Sequence, residues 1–149
     1  MKDPAGVFLD TTVLIAANDS DRPDHEASLR LLIAAAPQTT ACAAHTLAEV
    51  YAVLSRMPGG KRQRPELAGI LVDQIINRMT VVSLTTEEYA ETIRSAVRSK
   101  IAGGTIFDAL LLACARKVNA GRIYTWNLRH FHLVAPDLKD RIVTPQFAP

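Results

Sequence analysis

GTIFDALLLACARKVNAGRIYT, residues 104–125, joins a long apolar helical run to a short segment of β-branched and aromatic residues across a glycine. The run TIFDALLLACARKVNAG is predicted as a helix closed by Gly121, and RIYT as the strand that follows it. Apolar side chains surround this helix instead of forming one stripe, which predicts a central position in the fold. The strand is short and shows no polar alternation, as expected in a sheet covered on both faces.

The same alternation runs outward through the chain. VFLD is a short strand ending in an acid, and TTVLIAAN after it reads as a buried helical turn or two. HEASLRLLIAAA is an amphipathic helix stopped by Pro37, TTACAA a strand of small residues, and HTLAEVYAVLSR a helix ending at the MPGG turn. ELAGILVDQIINR is a further amphipathic helix, TVVSL a strand, TEEYAETIRSAVRSK a helix, and RIVTP a last short strand. Alternating β and α elements with wholly apolar strands predict an α/β fold, a parallel sheet covered by helices on both faces. The exposed stretch RMPGGKRQRPE joins two helices, not two domains, and the 149 residues fit one domain, 1–149.

Composition narrows the class. The longest apolar run, residues 109–115, is far below the roughly 20 residues that span a bilayer. MKDPAG lacks the apolar segment of a signal peptide, so the expectation is a soluble cytoplasmic protein with no membrane partner. Cys42 and Cys114 are far apart, sit in apolar company and show no zinc spacing; they read as reduced core residues. A net charge of +2 and a pI near 8.7 tolerate a polyanionic partner without demanding one.

In an open parallel sheet, ligands bind beyond the carboxyl ends of the strands. The polar residues that follow strands here are Asp10, Glu49 early in its helix, Asp108 early in the buried helix, and Asn127 after IYT. Capping is the competing explanation: Asp10 is placed as an N-cap, and Thr46 to Glu49 and Thr105 to Asp108 have capping-box spacing. Thr85 to Glu88 has the same spacing in polar surroundings and is assigned to capping outright. The other acids begin helices apolar on most faces, so they are expected to face one another. Three carboxylates about 5 Å apart at an effective dielectric near 20 repel by about 3 kcal/mol per pair, about 10 kcal/mol together. Helix dipoles return only about 0.3 to 1 kcal/mol per acid. Either the acids take up protons or a multivalent cation sits between them. An all-oxygen donor set with no cysteine and no paired histidine suits Mg²⁺ or Mn²⁺, with Asp10, Glu49 and Asp108 as metal ligands.

Four blocks in order, FLDTTVLIA, AHTLAEVYAVLSR, GTIFDALLLACA and IYTWNLRHF, resemble the PIN domain, specifically the VapC-type toxins of bacterial toxin–antitoxin pairs. The resemblance spans nearly the whole chain. It implies a three-layer α/β/α sandwich and a Mg²⁺-dependent endoribonuclease, usually dimeric, that acts on RNA and is restrained by a cognate antitoxin. It implies catalytic positions at Asp10, Glu49, Asp108 and Asn127. Asparagine at the last position departs from the four-acid version and supplies a carbonyl oxygen without charge. Thr11 and Thr125 match hydroxyl positions beside the acids.

Two other readings compete. A haloacid dehalogenase-like phosphohydrolase also places an aspartate after its first strand but needs a second acid two residues on, where this chain has Thr12. A PIN-like module that mainly binds RNA or protein is the alternative to an enzyme. For substrate contact the basic candidates are Lys61, Arg62, Arg64, Arg94 and Arg98, with Arg129 and His130 favoured by nearness to Asn127. His130 and His132 have no third ligand nearby and do not read as a metal pair. His25 and His45 carry no case beyond packing or surface, and Trp126 is divided between base stacking and the core. Leu29, Leu32 and Ile33 form an apolar helix face whose default partner is the protein's own core.

Overall fold

The computed structural model describes residues 6–146. Residues 1–5, which include most of MKDPAG, and residues 147–149 lie outside the described residues.

The elements follow the order β1 (Val7–Leu9), α1 (Thr11–Ala16), α2 (His25–Ala34), β2 (Thr40–Ala43), α3 (Ala44–Leu54), α4 (Pro65–Arg78), β3 (Thr80–Val82), α5 (Thr86–Arg98), α6 (Thr105–Lys117), β4 (Arg122–Tyr124), α7 (Leu128–Val134) and β5 (Ile142–Val143). All four strand pairings are parallel and the order across the sheet is β3-β2-β1-β4-β5. The chain therefore builds outward from β1 to one edge and then returns to β1's other side to build β4 and β5. The switch point between β1 and β4 opens a crevice at the carboxyl edge of the sheet, where ligands bind in such folds.

Strand residues alternate between two apolar layers. Phe8, Ala41, Ala43, Val82 and Ile123 pack with Leu111, Leu112 and Ala115 of α6 and Phe131 of α7. Leu9 and Cys42 pack with Val13, Leu14, Leu32, Val50, Leu54 and Ile75, contributed by α1 to α4. With both faces of the sheet covered, most strand residues are buried or half-buried, Thr80 and Arg122 at strand starts being exposed, which explains the strands' largely unalternating composition. This is the three-layer α/β/α sandwich expected from the sequence.

Several boundaries differ from the sequence reading. α7 is a helix that the sequence reading leaves unassigned; it has seven residues and buries only Phe131, too little for a periodic signal. α6 is closed by Asn119 at φ 50, not by Gly121: Asn119 N–H donates to Arg116 O at 2.9 Å and Ala120 N–H to Ala115 O at 3.0 Å. That double bond pattern is a Schellman end. The stretch RMPGGKRQRPE joins α3 to α4 through a 3-10 turn at Gly59–Lys61, as predicted. Cys42 and Cys114 are free and buried in opposite layers, and burial pushes their thiols up to about 12 and about 11. Among the described residues, no helix is long and apolar enough to cross a membrane.

Candidate active site

Asp10 stands at the switch point. Its backbone N–H donates to Tyr124 O at 3.0 Å, continuing the β1–β4 ladder, and its side chain caps α1. Oδ1 accepts from Thr11 N–H at 2.7 Å, while Oδ2 accepts from both Thr12 Oγ1 and Thr125 Oγ1 at 2.7 Å. The side chain is buried, and burial raises its pKa above the ordinary value although all these bonds pull it down. Thr125, also buried, accepts from Asn127 N–H at 2.9 Å. Asn127 is thus tied to Asp10 through one hydroxyl, by its backbone and not by its amide. Trp126 donates its backbone N–H to Thr12 Oγ1 at 3.0 Å and its indole N–H to Ser28 Oγ at 2.8 Å. The loop after β4 is therefore stitched to α1 and α2, and Trp126 is an anchor of the core, not a free stacking ring.

Glu49 arrives from α3. That helix starts at Ala44, so Glu49 lies a turn and a half inside it, and Thr46 is a buried helix residue, not a cap. Thr11 Oγ1 donates to Glu49 Oε1 at 3.1 Å, which leaves Thr46 Oγ1, 2.8 Å away, to donate to Thr11. His45 Nε2 lies 3.7 Å from the same carboxylate oxygen, one helical turn back. Each end of the Glu49 approach is held by a side chain of another element or turn.

Asp108 comes from the first turn of α6, whose N-cap is Gly104 without a side-chain cap; Thr105 is already helical. Its carboxylate is half-buried and lies 3.8 Å from His130 Nδ1 on α7. Burial raises its pKa most, the charge on Asp10 adds to that, His130 opposes it, and the charge on Glu49 raises it again. The three acids predicted from the sequence therefore share one electrostatic field, although they come from β1, α3 and α6. Their donor chemistry, oxygen only and mutually repelling, fits a hard divalent cation. As the side chains stand, however, no group of three or more His, Cys, Asp or Glu among the described residues is gathered closely enough to hold an ion.

The remaining candidates separate cleanly. His25 Nδ1 lies 2.8 Å from Ala16 O and His132 Nε2 lies 3.1 Å from Ile142 O, so both serve packing, and His132 is turned to a different partner from His130. Lys61 pairs with Asp19 and Asp21, and Arg94 and Arg98 pair with acids of their own helix. Arg129 and His130 remain exposed beside Asn127. The sequence reading missed His45 and Thr12. The four-residue spacing of His45 and Glu49 on one helix is a signal that points to the former; Thr12 is found only from the tertiary structure.

Residues 7–135 match the family model described as PIN domain. The chain belongs to the PIN-domain family. This PIN domain is of the VapC type: it is 31% identical over 121 residues to Ribonuclease VapC27 of Mycobacterium tuberculosis, covering 80% of this chain and 82% of that protein. Among solved structures, VapC20 of Mycobacterium tuberculosis, titled a sarcin-ricin loop cleaving toxin, superposes with a TM-score of 0.68 at 21% identity, over 84% of this chain and 92% of that one. DNA-bound VapBC of Salmonella typhimurium gives 0.66 at 18% identity, over 95% and 98% of the two chains. VapBC2 of Rickettsia felis, bound to a promoter DNA fragment, gives 0.58 at 17% identity, over 94% and 98%. At these identities the structures speak for the fold.

Proposed function

We propose that this PIN domain, residues 1–149 acting as one domain, is the toxin of a toxin–antitoxin pair and hydrolyses RNA phosphodiester bonds with Mg²⁺ or Mn²⁺ held by Asp10, Glu49 and Asp108. The observation that carries this reading is the mutual electrostatic influence of three carboxylates delivered by separate elements to the sheet's switch point. When bound, a hard divalent ion supplies a Lewis acid for phosphoryl oxygens and an oriented water for in-line attack. The chain does the rest. Thr11, Thr12 and Thr125 hold Asp10 in one orientation and Thr11 does the same for Glu49; in this reading Glu49 also accepts the nucleophile's proton. Asn127 offers this site an amide carbonyl without charge. The names of its relatives support an RNA substrate and a cognate antitoxin; a homodimer and a cytoplasmic setting complete the proposal.

A second reading, a catalytically weak module that binds RNA or protein, is favoured by two specific observations. No three acids close around one point among the described residues, and Asp10 already has three hydrogen-bond donors. The two readings part in one experiment: cleavage of total RNA as Mg²⁺ and Mn²⁺ are titrated, with the cut ends sequenced. The nuclease reading expects metal-dependent cuts that drop by at least about 100-fold in Asp108→Asn. Binding of RNA without cuts at any metal concentration establishes the module reading.

A further inference from the structure

His45 and Phe107 form an aromatic pair across two helices. Their rings stack with centroids 5.5 Å apart and planes within 7° of parallel. Burial does not explain the pair, because Phe107 is 49% exposed and the His45 side chain 42%. Its position is specific: Phe107 precedes Asp108 on α6, and His45 lies one turn before Glu49 on α3, so the pair bridges the two helices that deliver those acids. His45 also lines a recess of about 230 Å³ with Ser83 at the end of β3, Tyr89 of α5 and Leu110 of α6. That volume is below the roughly 300 to 1,000 Å³ of typical small-molecule clefts and suits one flat heterocycle. Tyr89, too, is a large aromatic left 40% exposed.

We infer that His45, Phe107 and Tyr89 form a subsite for one unpaired nucleobase next to the phosphate that is cut. The inference rests on the ribonuclease reading for the nature of its ligand. Aromatic faces bind bases by stacking, which tolerates any base, while edge contacts in a recess select among them. His45 Nε2 lies 3.7 Å from the Glu49 carboxylate and Phe107 adjoins Asp108 in the chain, so a phosphate held at the acids leaves the adjoining nucleotide beside the aromatic pair. Selection of the cut site then comes from these rings, and the acids supply none of it.

The test uses the full-length protein carrying Asp108→Asn, so that RNA is bound without turnover, and short single-stranded RNAs with 2-aminopurine at successive positions. Stacking quenches that base analogue. Quenching is expected at one position, with affinity lowered roughly 5- to 150-fold by Phe107→Leu, the range that loss of one base stack gives, and restored by Phe107→Trp. In the protein with Asp108 intact, Phe107→Leu is expected to erase the base preference at one position beside the cut in a randomised RNA pool. RNA that is bound and cut with the same affinity and pattern by Phe107→Leu and Tyr89→Ala overturns the subsite and leaves the nuclease standing. Quenching that depends on Phe107 in a protein that never cuts RNA upholds the subsite and removes the nuclease. RNA left unbound throughout, or a protein partner lost on Phe107→Leu while RNA binding is unchanged, overturns the subsite as well.

Discussion

Burial raises the pKa of both Asp10 and Asp108, yet their surroundings make them opposite in structural role. Asp10 closes a set of buried donors: Thr11 N–H and the hydroxyls of Thr12 and Thr125 all point to it. Removing this carboxylate leaves all three donors without their partner. Asp10→Ala is expected to lower stability by about 1 to 3 kcal/mol, the cost of leaving buried donors unpaired, measured by chemical denaturation. Asp108 has the ion pair with His130 and otherwise only unfavourable surroundings. A folded-state pKa above the ordinary 3.8 means that the native state binds the proton more tightly, so this group's stabilisation is complete below 3.8 and is lost as pH rises through the folded value. In chelator, Asp108→Asn should match the wild type in acid and become the more stable protein as pH rises toward neutrality. Melting temperatures that are identical across the series would contradict the crowding of charge at the site.

At the level of elements, α5 shows both what local sequence specifies and what it leaves imperfect. Its start is the capping box expected from Thr85 and Glu88: Thr85 N–H donates to Glu88 Oε1 at 2.9 Å and Glu88 N–H to Thr85 Oγ1 at 3.1 Å. Lys117 of α6 donates to the same Oε1 at 2.7 Å, and this bond, with the cap, holds the Glu88 carboxyl down at about 2. A lowered pKa reverses the sign found for Asp108: the stabilisation is present above 4.5 and disappears as pH falls through about 2. The deficit of Glu88→Gln against the wild type should therefore be largest near neutrality and close over that acidic range, followed by thermal melts in a pH series. The end of α5 is a Schellman motif with Lys100 at φ 57, Lys100 N–H donating to Val97 O at 3.1 Å and Ile101 N–H to Ala96 O at 2.9 Å. A lysine bears steric strain there that glycine does not. Lys100→Gly is expected to stabilise by about 1 kcal/mol, visible as a higher denaturant midpoint with an unchanged slope. The capping boxes at Thr46 and Thr105 fail for a reason of the same scale. Each helix begins earlier than the motif suggests, at Ala44 or immediately after Gly104, which puts the threonine inside the helix.

For the whole molecule, the parallel order β3-β2-β1-β4-β5 turns three acids that are far apart in sequence into one electrostatic unit. If that unit receives a divalent ion, Mn²⁺ should raise the melting temperature with the logarithm of its concentration above the dissociation constant, by about 2.7 kcal/mol of stability at 100 times that constant. Calorimetry with and without Mn²⁺ checks this without any reference to cleavage. The shift should vanish in Asp108→Asn and Glu49→Gln, and a wild type that gains nothing from the ion would favour the binding-module reading. Much of this was legible in the chain itself. The alternation of apolar strands and helices is a short-range pattern, since burial on both faces removes polar residues from each strand separately, and it determined the α/β class and placed Asp10, Glu49, Asp108 and Asn127 after strands or near helix starts. What only the tertiary structure decided depends on partners distant along the chain. The Thr11–Thr46 bond spans 35 residues and the Thr125–Asp10 bond 115. The strand order, the saturation of Asp10 by hydroxyls, the anchoring of Trp126 on Ser28 and the stacking of His45 on Phe107 are of this kind. No local periodicity encodes such pairings, because each is set by which surfaces the packed layers bring together.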